Sequence, residues 1–421
     1  MSKYINRTIE KDFNKMIDTY PVIMVTGPRQ VGKTTLLNYI RYDLGEKINF
    51  VTLDNLSFRT QANEDPELFL RNFDTPLIID EFQYAPDLLS YIKMKVDESR
   101  MDEMFNNGEK LETLYYLTGS QIFKTMEDVS ESLAGRVGII DLYALSTREL
   151  YGMKEDVFVP DIKILKGRVP VRKMSMSSLY KRIWMGSYPE LYKEANDEIE
   201  KYYELYVRTY IERDVRKVIN IKDEIKFYKF VSCVAARTAQ EYNALDIAND
   251  IGVDSKTIDE WMSILKNTGL VFLLQPYMNN NLGRIIKRPK IYFMDTGLAC
   301  YLTGYTNADI LEKSIYNGAI FETYVVSEII KSYTNNRKDP RKYLYYYRDN
   351  NKNEIDLLIM DNNKIYPVEI KKNSSPGKNA FKNFHVLDKL NMEIGDGVVL
   401  CMCSDIYAVD DNNYYVPIEY I

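Results

Sequence analysis

The hydrophobic positions of the first 150 residues form short runs separated by segments of helical period. Short apolar runs suit buried strands, whereas apolar positions repeating every three to four residues suit helices. Strands that alternate with helices predict a parallel sheet covered on both faces. The predicted strands are Val22–Val25, Ile48–Asp54, Leu77–Glu81 and Leu114–Thr118.

The middle of the chain changes to a mainly helical pattern. Residues 151–175 have little period and are interpreted as a connector, whereas 197–219 predict a long helix with a stripe of tyrosines that packs in the core. A glycine break at Gly252 between short helices is typical of a helix-turn-helix. The three helical segments are Phe227–Arg237, Leu245–Asp250 and Ser255–Lys266.

Two apolar runs after these helices, Val271–Leu274 and Ile291–Phe293, predict the strands of a winged hairpin. Such a module would place the helix at 255–266 in a DNA groove, with the basic segment 287–290 on phosphates. That helix carries acidic as well as basic side chains, and winged helices also contact proteins. DNA and protein therefore remain alternative partners for this module.

A tight hairpin is predicted in the last quarter of the chain, where two apolar runs flank Asn362 and Asn363. A two-residue turn at these asparagines places Asp356 directly opposite Glu369, and Lys371 on the same face. Facing carboxylates destabilise a hairpin unless a cation or a proton lies between them. This face is therefore a candidate metal site.

Composition narrows the classes of function. The 421 residues include 55 basic and 61 acidic side chains, so the net charge of −6 gives no overall attraction to nucleic acid. A single histidine excludes multi-histidine metal centres and His-based triads, and the four cysteines do not form a disulfide or zinc pattern. We find no apolar signal core and no membrane-length run, which predicts a cytoplasmic protein without a membrane partner.

The clearest chemistry lies between the first strand and the following helix. Gly27 and Gly32, followed by Lys33, Thr34 and Thr35, have the spacing and the strand–loop–helix context of a P-loop. Backbone N–H groups and Lys33 would hold the phosphates of ATP, and Thr34 would ligate Mg²⁺. We therefore predict that all five residues bind the nucleotide.

Polar residues at two further strand ends complete a candidate ATPase site. Asp80 has the position of a Walker B acid that holds Mg²⁺, and Glu81 would polarise the attacking water. Ser120 would sense the γ-phosphate, or belong to a simple turn. Arg136 is a candidate arginine finger or, alternatively, a surface arginine at a helix end.

Several motifs together resemble the prokaryotic AAA-type predicted ATPases, which carry a C-terminal domain of unknown function related to restriction endonucleases. Nearly the whole chain is covered by this resemblance. The motifs are Val25–Thr35, Ile78–Gln83, Leu117–Gln121, Leu133–Val137, Gly186–Glu190, Tyr210–Val215 and Asp295–Leu298.

The resemblance implies the same use of the C-terminal face. Asp356, Glu369 and Lys371 have the order of the restriction-endonuclease-like core, in which two carboxylates and a lysine hold magnesium and activate water. Glu322 lies on the apolar face of a predicted helix at 318–333 and needs an internal partner. That partner is either the metal, with Glu322 as third ligand, or Lys371 in an internal salt bridge.

These observations define an α/β multidomain protein. We expect a P-loop, AAA-type domain at 1–150, a connector and helical lid at 151–225, a winged-helix-like module at 226–300 and a restriction-endonuclease-like domain at 301–421. One hypothesis is an Mg²⁺-dependent ATPase coupled to a domain that binds or cleaves DNA or RNA. The other is an interaction protein, controlled by nucleotide, with an inactive nuclease-like domain. A second copy of the chain or another protein is a candidate partner in both.

Overall fold

The computed structural model describes residues 4–43, 48–105, 112–119, 132–193, 198–211, 224–278, 288–390 and 392–421. It divides the chain into two compact units. The first unit contains Tyr4–Ala144 and the short segment Asn267–Gly269, and the second contains Leu145–Lys266 and Leu270–Ile421. The first boundary lies six residues before the predicted one at 150.

The first unit is built on a five-stranded parallel sheet in the order β2-β3-β4-β1-β5. The four predicted strands are confirmed, and β5 is an additional strand that the apolar pattern did not reveal. Their bounds are β1 Val22–Thr26, β2 Asn49–Thr52, β3 Leu77–Asp80, β4 Tyr115–Thr118 and β5 Val137–Asp141. The helices are α1 Glu10–Ile17, α2 Lys33–Asp43, α3 Leu56–Glu64, α4 Pro66–Arg71 and α5 Leu88–Phe105.

Because all five strands are parallel, their carboxyl ends meet at one edge of the sheet. β1, β3 and β4 are completely buried, as expected for strands covered on both faces. The loop after β1 and the residues after β3 therefore emerge side by side at this edge. Ligands bind outside the carboxyl ends of the strands in such open sheets.

The second unit opens with short helices: α6 Thr147–Leu150, α7 Ile162–Gly167, α8 Met176–Met185 and α9 Ile199–Tyr206. The long helix predicted at 197–219 begins as α9 and continues as a π-helical segment, Val207–Ile211. Its remaining predicted residues lie outside the described part of the chain. Tyr203 and Tyr206 of its tyrosine stripe are buried, as predicted.

The three helices of the predicted helix-turn-helix region are present as α10 Glu224–Ala236, α11 Ala244–Ile251 and α12 Ser255–Asn267. Gly252 ends α11 in a left-handed conformation, and Asp254 accepts a hydrogen bond from the Thr257 N–H at the start of α12. The two predicted strands, β6 Val271–Leu274 and β7 Lys290–Phe293, pair in antiparallel fashion.

The rest of the second unit is a mixed seven-stranded sheet packed with helices. Its order is β13-β14-β12-β10-β9-β8, and β11 pairs with β10. The strands are β8 Leu344–Arg348, β9 Glu354–Asp361, β10 Lys364–Ile370, β11 Glu393–Ile394, β12 Gly397–Cys401, β13 Tyr407–Ala408 and β14 Asn413–Pro417. The helices that precede it are α13 Thr296–Leu302, α14 Ala308–Lys313 and α15 Asn317–Asn335.

The predicted hairpin is confirmed in its register and its turn. Tyr366 pairs with Ile359 and Val368 pairs with Leu357, so Asp356 and Glu369 are next in the same register. Asn362 and Asn363 both have positive φ, at 47° and 63°, as a type I′ turn requires. No helix among the described residues is long and apolar enough to cross a membrane.

Candidate functional site

The P-loop of the first unit follows β1 and leads into α2. Gly27 has φ +136°, and a Cβ atom at this position would lie 2.0 Å from the backbone oxygen of Leu142. Gly32 has φ +96°, and no atom lies within 4 Å of the place where its Cβ would be. Both conformations favour glycine, and the open space beside Gly32 is the kind of cradle that lets backbone approach a phosphate.

Lys33 is buried at the first position of α2, where only 7% of its surface is exposed. Its ammonium donates hydrogen bonds to the carbonyl oxygens of Gly27 at 3.0 Å and Pro28 at 2.8 Å. Burial lowers the pKa of Lys33 to about 8, although the nearby Glu81 carboxylate opposes this effect. The Lys33 ammonium is thus held by the backbone of the P-loop itself.

Asp80 connects three elements at the carboxyl edge of the sheet. The Thr34 hydroxyl at the start of α2 donates to Asp80 Oδ1 at 2.8 Å. The hydroxyl of Thr118, the last residue of β4, donates to the same oxygen. A hydroxyl and a carboxylate side by side at a P-loop are the donor set that holds Mg²⁺ in P-loop ATPases, so these residues fit the ion.

Glu81 directly follows β3 in a left-handed backbone conformation, with φ 54° and ψ 42°. This conformation is unusual for a residue with a side chain and is typical of functional positions. Gln83 donates a hydrogen bond to the Glu81 carboxylate, and burial raises the pKa of Glu81. Glu81 is close enough to Lys33 and Arg29 for both charges to act on it.

Two contributors to this site were missed from the sequence. Thr118 is completely buried, and its role depends on a partner in another strand. Arg7 lies before α1 and donates to the backbone oxygens of Val31, at 3.0 Å, and Tyr143, at 2.7 Å. Arg7 therefore braces the P-loop backbone. A Thr at the end of a predicted buried strand was a usable signal for Thr118, but no local pattern distinguishes Arg7.

The remaining predicted residues of the first unit have different outcomes. Thr35 lies in the first turn of α2 and is exposed. Ser120 lies outside the described residues. Arg136 forms a two-point ion pair with Asp97 of α5, at 2.6 and 3.0 Å.

The position of Arg136 bears on which P-loop it could act on. Its backbone oxygen accepts a hydrogen bond from Val22, at the amino end of β1, whereas the P-loop follows the carboxyl end. Five strand residues separate the two ends by roughly 16 Å, which is beyond the reach of an arginine side chain. This position does not bring Arg136 to the P-loop of its own subunit, and action in a neighbouring subunit stays a prediction.

In the second unit, the predicted carboxylates do converge on one face. Together with two lysines they form what we call the acid–lysine cluster. Its members are Lys290, Glu322, Glu354, Asp356, Glu369 and Lys371. Lys371 contacts Glu369 at 2.6 Å and Asp356 at 3.4 Å, so the predicted Asp, Glu and Lys constellation is assembled.

The sequence prediction missed Lys290, although this lysine is the most buried charged group of the cluster. Its side chain on β7 is 2% exposed, and its ammonium lies 2.6 Å from Glu354 and 3.3 Å from Glu322. Asp356 Oδ1 is 3.9 Å away. Tyr292, two residues along the same strand, donates to Glu322 at 2.7 Å. Glu322 thus has internal partners, but they are Lys290 and Tyr292 rather than Lys371.

The cluster does not fit the predicted three-carboxylate metal site, because the Lys290 ammonium lies against Glu322 and Asp356. Among the residues that the structure describes, no group of three or more His, Cys, Asp or Glu side chains is arranged to hold a metal ion. Glu369 Oε2 is buried without a hydrogen-bond partner, and burial next to Asp356 raises the pKa of Glu369. The Lys371 ammonium contacts both facing carboxylates and offsets their repulsion.

Three segments of the chain match models of known domain families. Residues 19–151 match the model of an AAA domain, so the first unit is similar to AAA domains. Residues 176–309 and 317–421 match two models that are each described as a domain of unknown function, DUF8612 and DUF4143.

Relatives of the chain include uncharacterized proteins from three organisms. Uncharacterized protein Rv2008c of Mycobacterium tuberculosis is 27% identical over 360 residues, which are 85% of this chain and 71% of that protein. Uncharacterized protein MJ1637 of Methanocaldococcus jannaschii is 24% identical over 324 residues, 70% of this chain and 63% of that protein. A protein of Mycobacterium bovis has the same identity and coverage as Rv2008c.

Among solved structures, the Walker-type ATPase PABY2304 of Pyrococcus abyssi has a TM-score of 0.36 and 13% identity, with 71% of this chain and 96% of that chain covered. The ORC2 protein of Aeropyrum pernix, as its ADPNP-ADP complexes, has a TM-score of 0.32 and 16% identity, with 63% and 85% covered.

Proposed function

We propose that the first unit binds ATP with Mg²⁺ and hydrolyses it. The observation that carries this proposal is the contact between Thr34 and Asp80, two residues of separate P-loop ATPase motifs that lie 2.8 Å apart. The AAA domain match over residues 19–151 supports the same function.

Each side chain has a role that follows from its place. Lys33 would place a positive charge at the terminal phosphates. Thr34 and Asp80 would hold a magnesium ion, which would neutralise charge on the phosphates. Glu81 accepts a proton from the attacking water. Its raised pKa brings it closer to the range in which a carboxylate works as a base near neutral pH.

The experiment is an ATPase assay on the full chain with Lys33→Ala and Glu81→Gln. We expect Lys33→Ala to lose nucleotide binding and Glu81→Gln to bind ATP without turning it over. Lys95→Ala is the matched control, because Lys95 lies on the exposed part of α5 and pairs with Glu98. If both single variants, Lys33→Ala and Glu81→Gln, still hydrolyse ATP at the wild-type rate, the proposal would be overturned.

For the second unit we propose an interaction module of restriction-endonuclease-like fold that is controlled by the nucleotide state. The mixed sheet with Asp356, Glu369 and Lys371 on one face supports the fold, and Lys290 among the carboxylates favours a module that binds rather than cleaves. The helices α10 to α12 with the pair β6 and β7 support a winged-helix-like segment, for which DNA, RNA or a protein is the candidate partner.

Two measurements separate these activities. Wild type, Asp356→Ala and Lys371→Ala are incubated with DNA or RNA, Mg²⁺ or Mn²⁺, and ATP. We expect no cleavage from any of them, whereas cleavage that both substitutions abolish would establish a nuclease. Titration of duplex DNA at increasing salt tests binding, and no affinity even at low salt would remove DNA as the partner.

A further inference from the structure

The acid–lysine cluster contains a positive charge at the place where the family resemblance would put a metal. The Lys290 ammonium lies within 4 Å of Glu322, Glu354 and Asp356, and its side chain is almost completely shielded from water. A buried ammonium needs carboxylates or other acceptors around it, because removing its water shell costs several kcal/mol. These three carboxylates are the acceptors that surround the Lys290 ammonium.

A divalent ion and Lys290 would use the same oxygens. A magnesium ion requires carboxylate oxygens at about 2.1 Å. Glu322 Oε1 already accepts hydrogen bonds from Tyr292, at 2.7 Å, and from Lys290, at 3.3 Å. An ion held by Glu322 and Asp356 would lie next to the Lys290 ammonium, and two cations this close in a buried site repel each other strongly.

The backbone fixes the lysine in this place. Lys290 is the first residue of β7, where it pairs with Leu274 of β6 and also bridges to Glu241. Its ammonium also lies 5.4 Å from the centre of the Tyr346 ring. Because strand pairing sets the direction of the side chain, the ammonium is part of the folded architecture of the cluster.

We propose that Lys290 is the resident cation of the acid–lysine cluster and takes the place of a divalent metal ion, so that the second unit holds its carboxylates together without metal. This inference does not depend on ATP hydrolysis by the first unit. It assigns Lys290 a positioning role toward Glu322, Glu354 and Asp356.

The direct test measures how many Mn²⁺ ions the nucleotide-free protein binds. Electron paramagnetic resonance detects the binding. Every variant also carries Asp80→Asn, which removes the candidate magnesium ligand of the first unit. We expect the Lys290→Met protein to bind one more Mn²⁺ than the protein with native Lys290. Addition of Asp356→Asn should abolish that extra site. An Mn²⁺ site that depends on Asp356 while Lys290 is present would overturn the proposal.

A second measurement does not require metal and covers the case in which Lys290→Met folds poorly. Removing one partner of a buried ion pair is strongly destabilising, so we expect the second unit of Lys290→Met to melt on the order of 10 °C lower. Glu322→Gln in the same chain should recover much of this loss, because it removes one carboxylate left without its counter-ion.

Lys364→Met is the matched control, since Lys364 is likewise the first residue of a strand of the second unit, β10, but forms an exposed pair with Glu393. Its melting temperature should stay within about 2 °C of wild type. Equal melting temperatures for Lys290→Met and Lys364→Met would contradict the assigned role of Lys290.

Discussion

Thr118 joins the two acidic residues of the nucleotide site through one hydroxyl group. The hydroxyl donates to Asp80, and its oxygen lies 3.4 Å from the backbone nitrogen of Glu81. Thr118 therefore orients the Asp80 carboxylate, which we propose as a ligand of Mg²⁺. It also orients the peptide group that positions Glu81.

We predict that Thr118→Val lowers kcat for ATP hydrolysis while nucleotide binding is retained. A hydrogen bond to a charged group is worth about 1.5 to 3 kcal/mol, which corresponds to roughly 10- to 100-fold in rate. Steady-state ATPase kinetics measures this effect. Thr113→Val is the control, because Thr113 is equally buried but donates only to backbone oxygens of Ile17 and Tyr20. Similar kcat losses in both variants would point to a general packing effect.

The lowered pKa of Lys33 predicts that ATP affinity depends on pH. In the free protein the ammonium loses its proton near pH 8, whereas bound phosphates favour the charged form and raise the pKa. Affinity should therefore be constant below about pH 8 and fall up to tenfold per pH unit above it. Equilibrium titration with a fluorescent ATP analogue from about pH 6.5 to 9.5 measures this change in affinity.

Lys33→Arg provides the control for this pH dependence, because a guanidinium keeps its charge throughout that range. The wild-type decrease in affinity should be absent in this variant. A wild-type affinity that stays constant up to pH 9.5 would show that Lys33 is not the titrating group.

At the residue scale, local sequence predicted the P-loop and the acid pair after β3, because their chemistry requires fixed spacing along the chain. Lys33, Thr34 and Asp80 lie together as expected. Arg7 and Lys290 were missed because their partners are distant in sequence and lie in other elements. Arg136 matched a motif, but the strand after it placed the side chain at the wrong edge of the sheet for its own P-loop.

Among the elements, the hairpin of β9 and β10 was predicted down to its register. Alternation of side chains and a two-asparagine turn leave only one pairing that buries the apolar face, and that pairing is observed. Side-chain alternation and turn geometry predict that the carboxylates face each other, but they do not predict whether a metal or another cation lies between them. Lys371, directly after β10, contacts both of these carboxylates. Lys290 reaches Asp356 from β7, and no local pattern encodes how close β7 lies to this hairpin.

The turn of this hairpin predicts a specific effect on stability. Asn363 has φ 63°, a conformation that a β-branched residue adopts only with strain. We expect Asn363→Val to destabilise the second unit by about 1 to 2 kcal/mol and Asn363→Gly to leave it equal to or more stable than wild type. Urea unfolding followed by tryptophan fluorescence measures this, because both tryptophans, Trp184 and Trp261, lie in the second unit.

Asn351→Val is the control for the turn. Asn351 lies in the neighbouring exposed turn between β8 and β9 and does not have positive φ. Its substitution should change stability by less than about 0.5 kcal/mol. If both valine substitutions cost the same, the cause would be the loss of an asparagine side chain rather than the backbone conformation.

At the scale of the whole molecule, the units do not follow the order of the chain. The predicted boundary near 150 is close to the observed one after Ala144, because the apolar pattern changes there. No pattern along the chain indicated that Asn267–Gly269 belongs to the first unit. These three residues carry no motif, and their place depends on packing against residues that are more than a hundred positions earlier.

Gly269 is the point where this segment contacts the P-loop. It is buried with φ +71°, and a Cβ atom there would lie 3.0 Å from the ring of Pro28. We predict that Gly269→Ala raises KM for ATP about two- to tenfold, because the added methyl displaces the P-loop by a few tenths of an ångström. Steady-state kinetics together with thermal unfolding separates this effect from instability.

Gly252→Ala is the matched control for backbone strain. Gly252 has a similar φ of +75°, but its Cβ would meet no atom within 4 Å. Both variants should lose about 1 to 2 kcal/mol of stability, and only Gly269→Ala should change KM. Equal KM values in the two variants would show that the contact with Pro28 does not influence the nucleotide site.

The late position of Gly269 in the chain has a consequence for how the protein is made. The ribosome synthesises about 125 further residues between Ala144 and Gly269. At 5 to 20 residues per second, that interval is roughly 6 to 25 s. The nucleotide domain therefore acquires its last packing partner only after a large part of the second unit has been synthesised. A fragment that ends at Ala144 would lack this partner permanently.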